Sequence, residues 1–146
     1  MRIARAFLVL VVGCLGCSNA KPYNTAAVTG RVTLDGQPLA GARLTFQPER
    51  GPNAGLLSGP EAHGETDENG YYTLRTVFDD RGGTIGRNRV TISTRKIERP
   101  ANNPDAPAKQ ISAEKVPKKY FTAKDWLYFE VPAEGTKSAN FDLTSK

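Results

Sequence analysis

From Val28 onward, apolar and polar residues alternate in short runs. In Val28-Thr29-Gly30-Arg31-Val32-Thr33-Leu34, the side chains of Val28, Val32 and Leu34 fall on one face, and those of Thr29, Arg31 and Thr33 on the other. Period two with β-branched residues predicts a half-buried strand. Asp35-Gly36-Gln37-Pro38-Leu39-Ala40-Gly41 is turn chemistry. Ala42 to Gln47 alternates again, with Ala42, Leu44 and Phe46 inward, and Pro48, lacking an amide for a ladder, ends that strand. Glu49 to His63 is rich in Gly and Pro and predicts a surface loop. Gly64-Glu65-Thr66 begins a strand, Asp67-Glu68-Asn69-Gly70 turns it, and Tyr71 to Arg75 returns; Asn-Gly between such runs signals a hairpin. Asp79 to Gly83 predicts another loop, and Arg87 to Thr94 a strand with Val90 and Ile92 inward.

Glu98 to Lys109 carries Pro100, Pro104 and Pro107 and predicts a long loop outside any ladder. A segment from Val116 to Thr122 follows. Leu127, Phe129 and Val131 then share one face of a strand, Pro132 to Lys137 turns the chain, and Phe141 and Leu143 point inward from the last strand. No stretch sustains a helical period. About seven short strands separated by turn signals predict an all-β chain: a single antiparallel β-sandwich, transthyretin-like or immunoglobulin-like.

The first residues follow another pattern. Arg2 and Arg5 precede an unbroken apolar run from Ala6 to Val12, then Gly13-Cys14-Leu15-Gly16-Cys17, after which the chain turns polar. The run is shorter than the ~20 apolar residues of a membrane span, and it fits the apolar region of an export signal. The segment resembles a lipoprotein signal, in which a cysteine behind a small residue becomes diacylated and N-terminal. Cys17, followed by Ser18, gives the more usual length; Cys14, behind Val11-Val12-Gly13, is the alternative. Cleavage after Ala20, at Ser18-Asn19-Ala20, would instead release a soluble protein. Two or more acyl chains anchor stably where one holds only marginally. The expected organisation is a signal peptide over 1–16, a lipidated tether over 17–26 and a β-sandwich domain over 27–144, exported and anchored in the cell envelope at the periplasmic face or cell surface.

No cysteine follows Cys17, so the exported domain is held by packing, in a compartment that permits disulfides. The 146 residues include 20 Lys+Arg and 15 Asp+Glu, a net charge of +5; loss of Arg2 and Arg5 with the signal leaves +3. That balance is mild. Arg81, Arg87, Arg89, Arg95, Lys96 and Arg99 cluster somewhat, as do Lys115, Lys118, Lys119 and Lys124. Such residues serve as solvated strand faces, or attract anionic headgroups and envelope polymers in a salt-dependent way. Nucleic acid is not an expected partner, since export removes the chain from it and no reading motif is present.

Val28-x-Gly30-x-Val32-x-x-x-Gly36-x-Pro38-Leu39-x-Gly41-Ala42-x-Leu44-x-Phe46 resembles the opening of carboxypeptidase-regulatory-like domains, and Thr66-Asp67-Glu68-Asn69-Gly70-Tyr71-Tyr72-Thr73-Leu74 resembles their next marker. Val116-Pro117-Lys118-Lys119-Tyr120 and the ending Phe141-Asp142-Leu143-Thr144-Ser145-Lys146 are similar to small exported lipoproteins of planctomycete type. The resemblance spans roughly residues 26–144 and implies a transthyretin-like sandwich; its motifs are specific for fold and weak for function. It departs at Asn88, where the family often has an aromatic before the late Val-x-Val strand. A buried Asn needs its amide hydrogen-bonded, so either Asn88 faces an opening or the local register differs.

Little in the chain suggests catalysis. Zinc peptidases use three protein ligands, typically with two histidines, whereas the one histidine here, His63, lies in the expected Gly/Pro-rich loop. Asp67, Glu68 and Asn69, with Asp79 and Asp80, could ligate calcium, but Asp-x-Asn-Gly is also what a tight turn uses. No catalytic residue, metal or cofactor is therefore expected. Trp126, Tyr128 and Tyr120 are candidates for an exposed aromatic row that stacks on sugars or docks a partner. The expected function is a non-enzymatic envelope lipoprotein displaying a structural or protein-interaction module, with the membrane as one partner and an envelope protein or polysaccharide as another; the alternative is an envelope carbohydrate- or small-ligand-binding protein.

Overall fold

The computed structural model describes residue 21 and residues 23–50, 59–100 and 105–146; Cys14, Cys17 and Ala20 lie outside them. The chain is all-β. The strands are β1 (Thr25–Ala26), β2 (Thr29–Leu34), β3 (Gln37–Pro38), β4 (Arg43–Pro48), β5 (Ala62–Glu65), β6 (Tyr71–Thr73), β7 (Arg75–Thr76), β8 (Gly83–Thr84), β9 (Gly86–Ser93), β10 (Lys96–Glu98), β11 (Lys109–Ser112), β12 (Leu127–Val131) and β13 (Phe141–Leu143). The larger antiparallel sheet runs β12-β9-β4-β5-β7. In the second, β2 pairs antiparallel with β3 and β6 but parallel with β13, Phe141 lying opposite Val32. That pair departs from the all-antiparallel expectation. Among the described residues no helix is long and apolar enough to cross a membrane.

The alternation does what it predicts. Val28, Val32, Ala42, Leu44, Phe46, Val90, Ile92, Val131, Phe141 and Leu143 are buried in one hydrophobic cluster, with Leu34, Leu127 and Phe129 packed against it. Phe46, from the larger sheet, has its ring 6.4 Å from that of Tyr72 and 6.1 Å from that of Phe141, both on the second sheet, and 6.0 Å from that of Phe129. Burying such a side chain contributes about 1.5–3 kcal/mol. The Tyr72 hydroxyl donates to the Ala139 carbonyl at 2.6 Å, which satisfies two buried polar groups.

Several expectations change. Glu49–His63 is not loop throughout: β5 starts at Ala62, and its inward residues, Ala62 and Gly64, are too small to mark a hydrophobic face. Tyr71 to Arg75 is not one strand, because β6 pairs with β2 and β7 with β5, so the chain crosses between sheets at buried Leu74. The proline-rich stretch joins a hairpin, with Glu98 and Lys109 in register. Val116–Thr122 contains a 3₁₀ turn at Lys118–Phe121, and a second follows at Ala123–Asp125. The expected tether is also partly structured, since β1 pairs with β8.

Two glycines are required by close approach. A Cβ on Gly30 would lie 1.9 Å from the Ala139 carbonyl oxygen, where β2 meets the chain entering β13. A Cβ on Gly82 would lie 1.7 Å from the Ala26 carbonyl oxygen, and Gly82 has φ +91°. Gly82→Ala therefore meets both a clash and left-handed backbone strain, and is expected to lower the unfolding free energy by about 2–4 kcal/mol. Gly83→Ala, whose Cβ would meet Leu74 at an ordinary 3.4 Å, is expected to stay within about 1 kcal/mol of the parent. Guanidinium unfolding of the three proteins checks this.

Candidate functional site: the outer face of the larger sheet

Residues alternating with the core positions of β12, β9, β4, β5 and β7 line the opposite face of the larger sheet. The pairing puts Tyr128 opposite Arg89 and Arg89 opposite Gln47. Thr91 lies opposite Thr45, Thr45 opposite His63, and His63 opposite Arg75. Trp126 immediately precedes β12.

Arg89 lies with its guanidinium carbon 4.4 Å from the Trp126 ring centre, and Arg87 lies 4.3 Å from that of Tyr128. Arg87 also pairs with Glu49 at 3.0 Å, and Arg89 donates to Gln47. Such stacking holds long, charged side chains flat on aromatic rings and contributes about 0.5–1 kcal/mol each at exposed sites. Trp126 and Tyr128 each remain 38% exposed. The result is a mixed plate of indole, phenol and guanidinium groups, with one face of each ring covered by an arginine. β12 is also a sheet edge: among the described residues no strand pairs with its outer side.

Tyr120 does not belong to this plate. It packs against the core from the first 3₁₀ turn, and its hydroxyl accepts from the Thr144 amide at 3.0 Å. His63 is not in a loop: half-buried on β5, it places Nδ1 3.2 Å from the Thr45 hydroxyl. Arg43, Thr45, His63, Glu65 and Arg75 of the same sheet, with Thr73 of β6, border a shallow depression. Three of the candidate calcium ligands have other partners. Asp67 accepts the amides of Asn69 and Tyr71 at 2.9 Å, Asp79 pairs with Arg75 at 2.8 Å, and Asp80 pairs with Lys21.

Neither alternative expected for Asn88, an opening or a shifted register, holds. Asn88 points inward, fully buried, without disturbing Val90 and Ile92. Its Nδ2 donates to the carbonyls of Thr84 at 2.9 Å and Gly86 at 2.8 Å, clipping the bend that opens β9. Its Oδ1 has no partner among the described residues.

Reading the sequence in one dimension missed two features. The arginine–aromatic stacks depend on the β9–β12 register; the outward alternation of Arg87 and Arg89 was the available signal. Glu114 carried no signal at all, being a lone acid after the proline-rich stretch. Its carboxylate accepts from the amides of Thr94 at 3.0 Å and Val116 at 2.9 Å, and from the hydroxyls of Thr94 and Ser93. Burial pushes the Glu114 carboxyl up, but these bonds together outweigh it and hold the group below its ordinary value. A carboxyl lowered by folding stabilises above its unfolded pKa and loses that contribution as pH falls through the folded one. Wild-type protein is therefore expected to lose more stability than Glu114→Gln on acidification from about pH 6 to about pH 3, as read by denaturant midpoints at each pH.

No protein-family model matches the chain, and no curated protein matches it. Among solved structures, the crystal structure of a 9R-lipoxygenase from Cyanothece PCC8801 aligns with 82% of this chain at a TM-score of 0.38 and 12% identity. This chain spans 16% of the length of that one, and a likeness at that level carries no argument about fold or activity.

Proposed function

We propose that the protein is a non-enzymatic cell-envelope lipoprotein that displays a transthyretin-like β-sandwich as a protein-interaction module. Export and lipidation are supported by the order Arg2, Arg5, apolar run, Cys17, polar chain. A sandwich is supported by the ring contacts that Phe46 makes with Tyr72 and Phe141 across the shared core.

The observation that carries the interaction reading is the pair of arginine–aromatic stacks beside the unpaired edge of β12. Arg, Trp and Tyr dominate the energetics of protein interfaces, and their pre-stacked arrangement limits the ordering cost of binding. An open edge offers a partner backbone hydrogen bonds, with adjacent side chains supplying selectivity. A second reading, envelope carbohydrate binding, is favoured by the remaining exposure of Trp126 and Tyr128.

Crosslinking of the lipidated protein in its native envelope, followed by reconstitution with the captured partner, tests the first reading. Trp126→Ala with Arg89→Ala is expected to weaken the reconstituted complex by at least about tenfold, a loss of about 1.4 kcal/mol, while leaving the circular dichroism unchanged. Full affinity in that variant defeats the interface assignment; glycan-array binding that Trp126→Ala abolishes would move the assignment to carbohydrate. Intact-mass analysis of the mature protein is expected to show a chain beginning at Cys17 with acyl groups attached. A mass for an unmodified chain beginning at Lys21 would defeat the lipoprotein reading.

A further inference from the structure

The turn after β7 exposes two large apolar side chains. Val77 is 54% exposed, and Phe78, at 68%, is the most exposed of the large hydrophobic residues described. Ordinary turn chemistry would place Asn, Asp, Gly or Ser there. The turn is firmly built. The Thr76 hydroxyl accepts from the amides of Phe78 at 3.3 Å and Asp80 at 3.1 Å, the Thr76 carbonyl accepts from Asp79 at 2.9 Å, and the Val77 amide donates to the Glu61 carbonyl at 3.0 Å. Arg75 braces it through Asp79. The apolar tips are thus held outward by a rigid frame.

The start of the described chain is fastened to this same turn. Lys21 pairs with Asp80, the Tyr23 hydroxyl donates to Asp80 at 3.5 Å, and the Tyr23 ring lies nearly parallel to that of Phe78, with centres 6.4 Å apart. Lys21 is four positions after Cys17, and four residues reach at most about 14 Å. An acyl-anchored Cys17 would keep Lys21 within that reach of the lipid surface, and the turn that Lys21 and Tyr23 hold a side chain's length beyond it. Around the apolar tips stand Tyr23, Lys21, Arg75 and Arg81. Asp79 and Asp80 match Arg75 and Lys21, and Glu61, whose carbonyl accepts the Val77 amide, balances the formal charge of Arg81. Apolar tips beside a tyrosine, with the charged groups around them balanced, suit the boundary between headgroups and acyl chains.

We propose that the Val77–Phe78 turn is a second membrane contact, inserting into the phospholipid interface beside the acylated cysteine and fixing which end of the domain faces the bilayer. This rests on the lipoprotein reading above. The anchor gives attachment; the turn gives orientation. The β10–β11 hairpin then points away. It follows Ser93, which pairs with Arg43, whereas Thr76 pairs with Ala62 opposite Phe46, toward the other end of β4.

The test uses the mature lipoprotein purified from its host and reconstituted into phosphatidylethanolamine–phosphatidylglycerol vesicles containing a brominated lipid. No cysteine follows Cys17, so Phe78→Cys and, on the distal hairpin, Ile111→Cys each introduce one free thiol for an environment-sensitive fluorophore. Both positions are exposed, and unchanged thermal unfolding verifies that the labelled proteins are folded. The label at position 78 is expected to shift to the blue and to be quenched by the brominated lipid at least about twofold more than the label at position 111. Equal quenching at the two positions in a protein whose mass shows acylation overturns the second contact and leaves the lipoprotein reading standing. A mass without acyl groups overturns the lipoprotein reading and this inference together. A blue shift at position 78 that follows protein density and ignores the brominated lipid overturns the inference in favour of a second copy of the chain.

Discussion

Phe46 is the contact on which the arrangement of the two larger sheets depends. Its ring touches those of Tyr72, Phe129 and Phe141, which come from three strands of both sheets. The chain has no cysteine after Cys17 with which to fasten those sheets covalently, so cohesion falls to packing. Edge-to-face contacts such as Phe46 with Phe129 and Phe141 add about 0.5–1.5 kcal/mol each beyond the area they bury. The hydrogen bond from Tyr72 to the Ala139 carbonyl extends the same cluster into polar territory.

Packing this close restricts the backbone around it. Gly30 and Gly82 lie against carbonyl groups that leave no room for a side chain, and the chain changes sheets at Leu74 between them. Thr66 shows how the turns are served: its hydroxyl donates to the Leu39 carbonyl at 2.6 Å and accepts from the Ala42 amide at 2.8 Å. Asn88 and Glu114 do comparable work at the two ends of β9. Polar side chains thus close the ladders where strands stop, because a buried backbone group without a partner costs about as much as a lost hydrogen bond.

With the interior so occupied, the chemistry available to a partner lies outside. The arginine–aromatic plate and the free edge of β12 lie together on the larger sheet, and the apolar turn at Val77–Phe78 lies beside the start of the described chain. On the reading proposed above, one surface meets the envelope partner and the other the bilayer. Firm turns suit both tasks, since neither surface then has to be ordered on binding.

Much of the fold was legible in the residues. Val28, Val32, Ala42, Leu44, Phe46, Val90 and Ile92 could be assigned to the core because period two is a local property of a strand, and the Asp67–Gly70 turn because its side-chain hydrogen bonds span only a few residues. The start of β5 was hidden because its inward residues are Ala62 and Gly64, which carry almost no hydrophobic signal. The break at Leu74, the parallel pairing of β13 with β2 and the inward turn of Asn88 each depend on partners tens of residues away. The same holds for the candidate surfaces. Trp126 and Tyr128 stood out in the sequence, but it took the β9–β12 register to stack them under Arg89 and Arg87 and to leave Tyr120 elsewhere. The sequence by itself determined an all-β chain with these core positions and turns, because alternation and turn chemistry act between near neighbours. Only the tertiary structure decided which strands pair and which exposed side chains share a face, because register is set by the joint burial of segments distant along the chain.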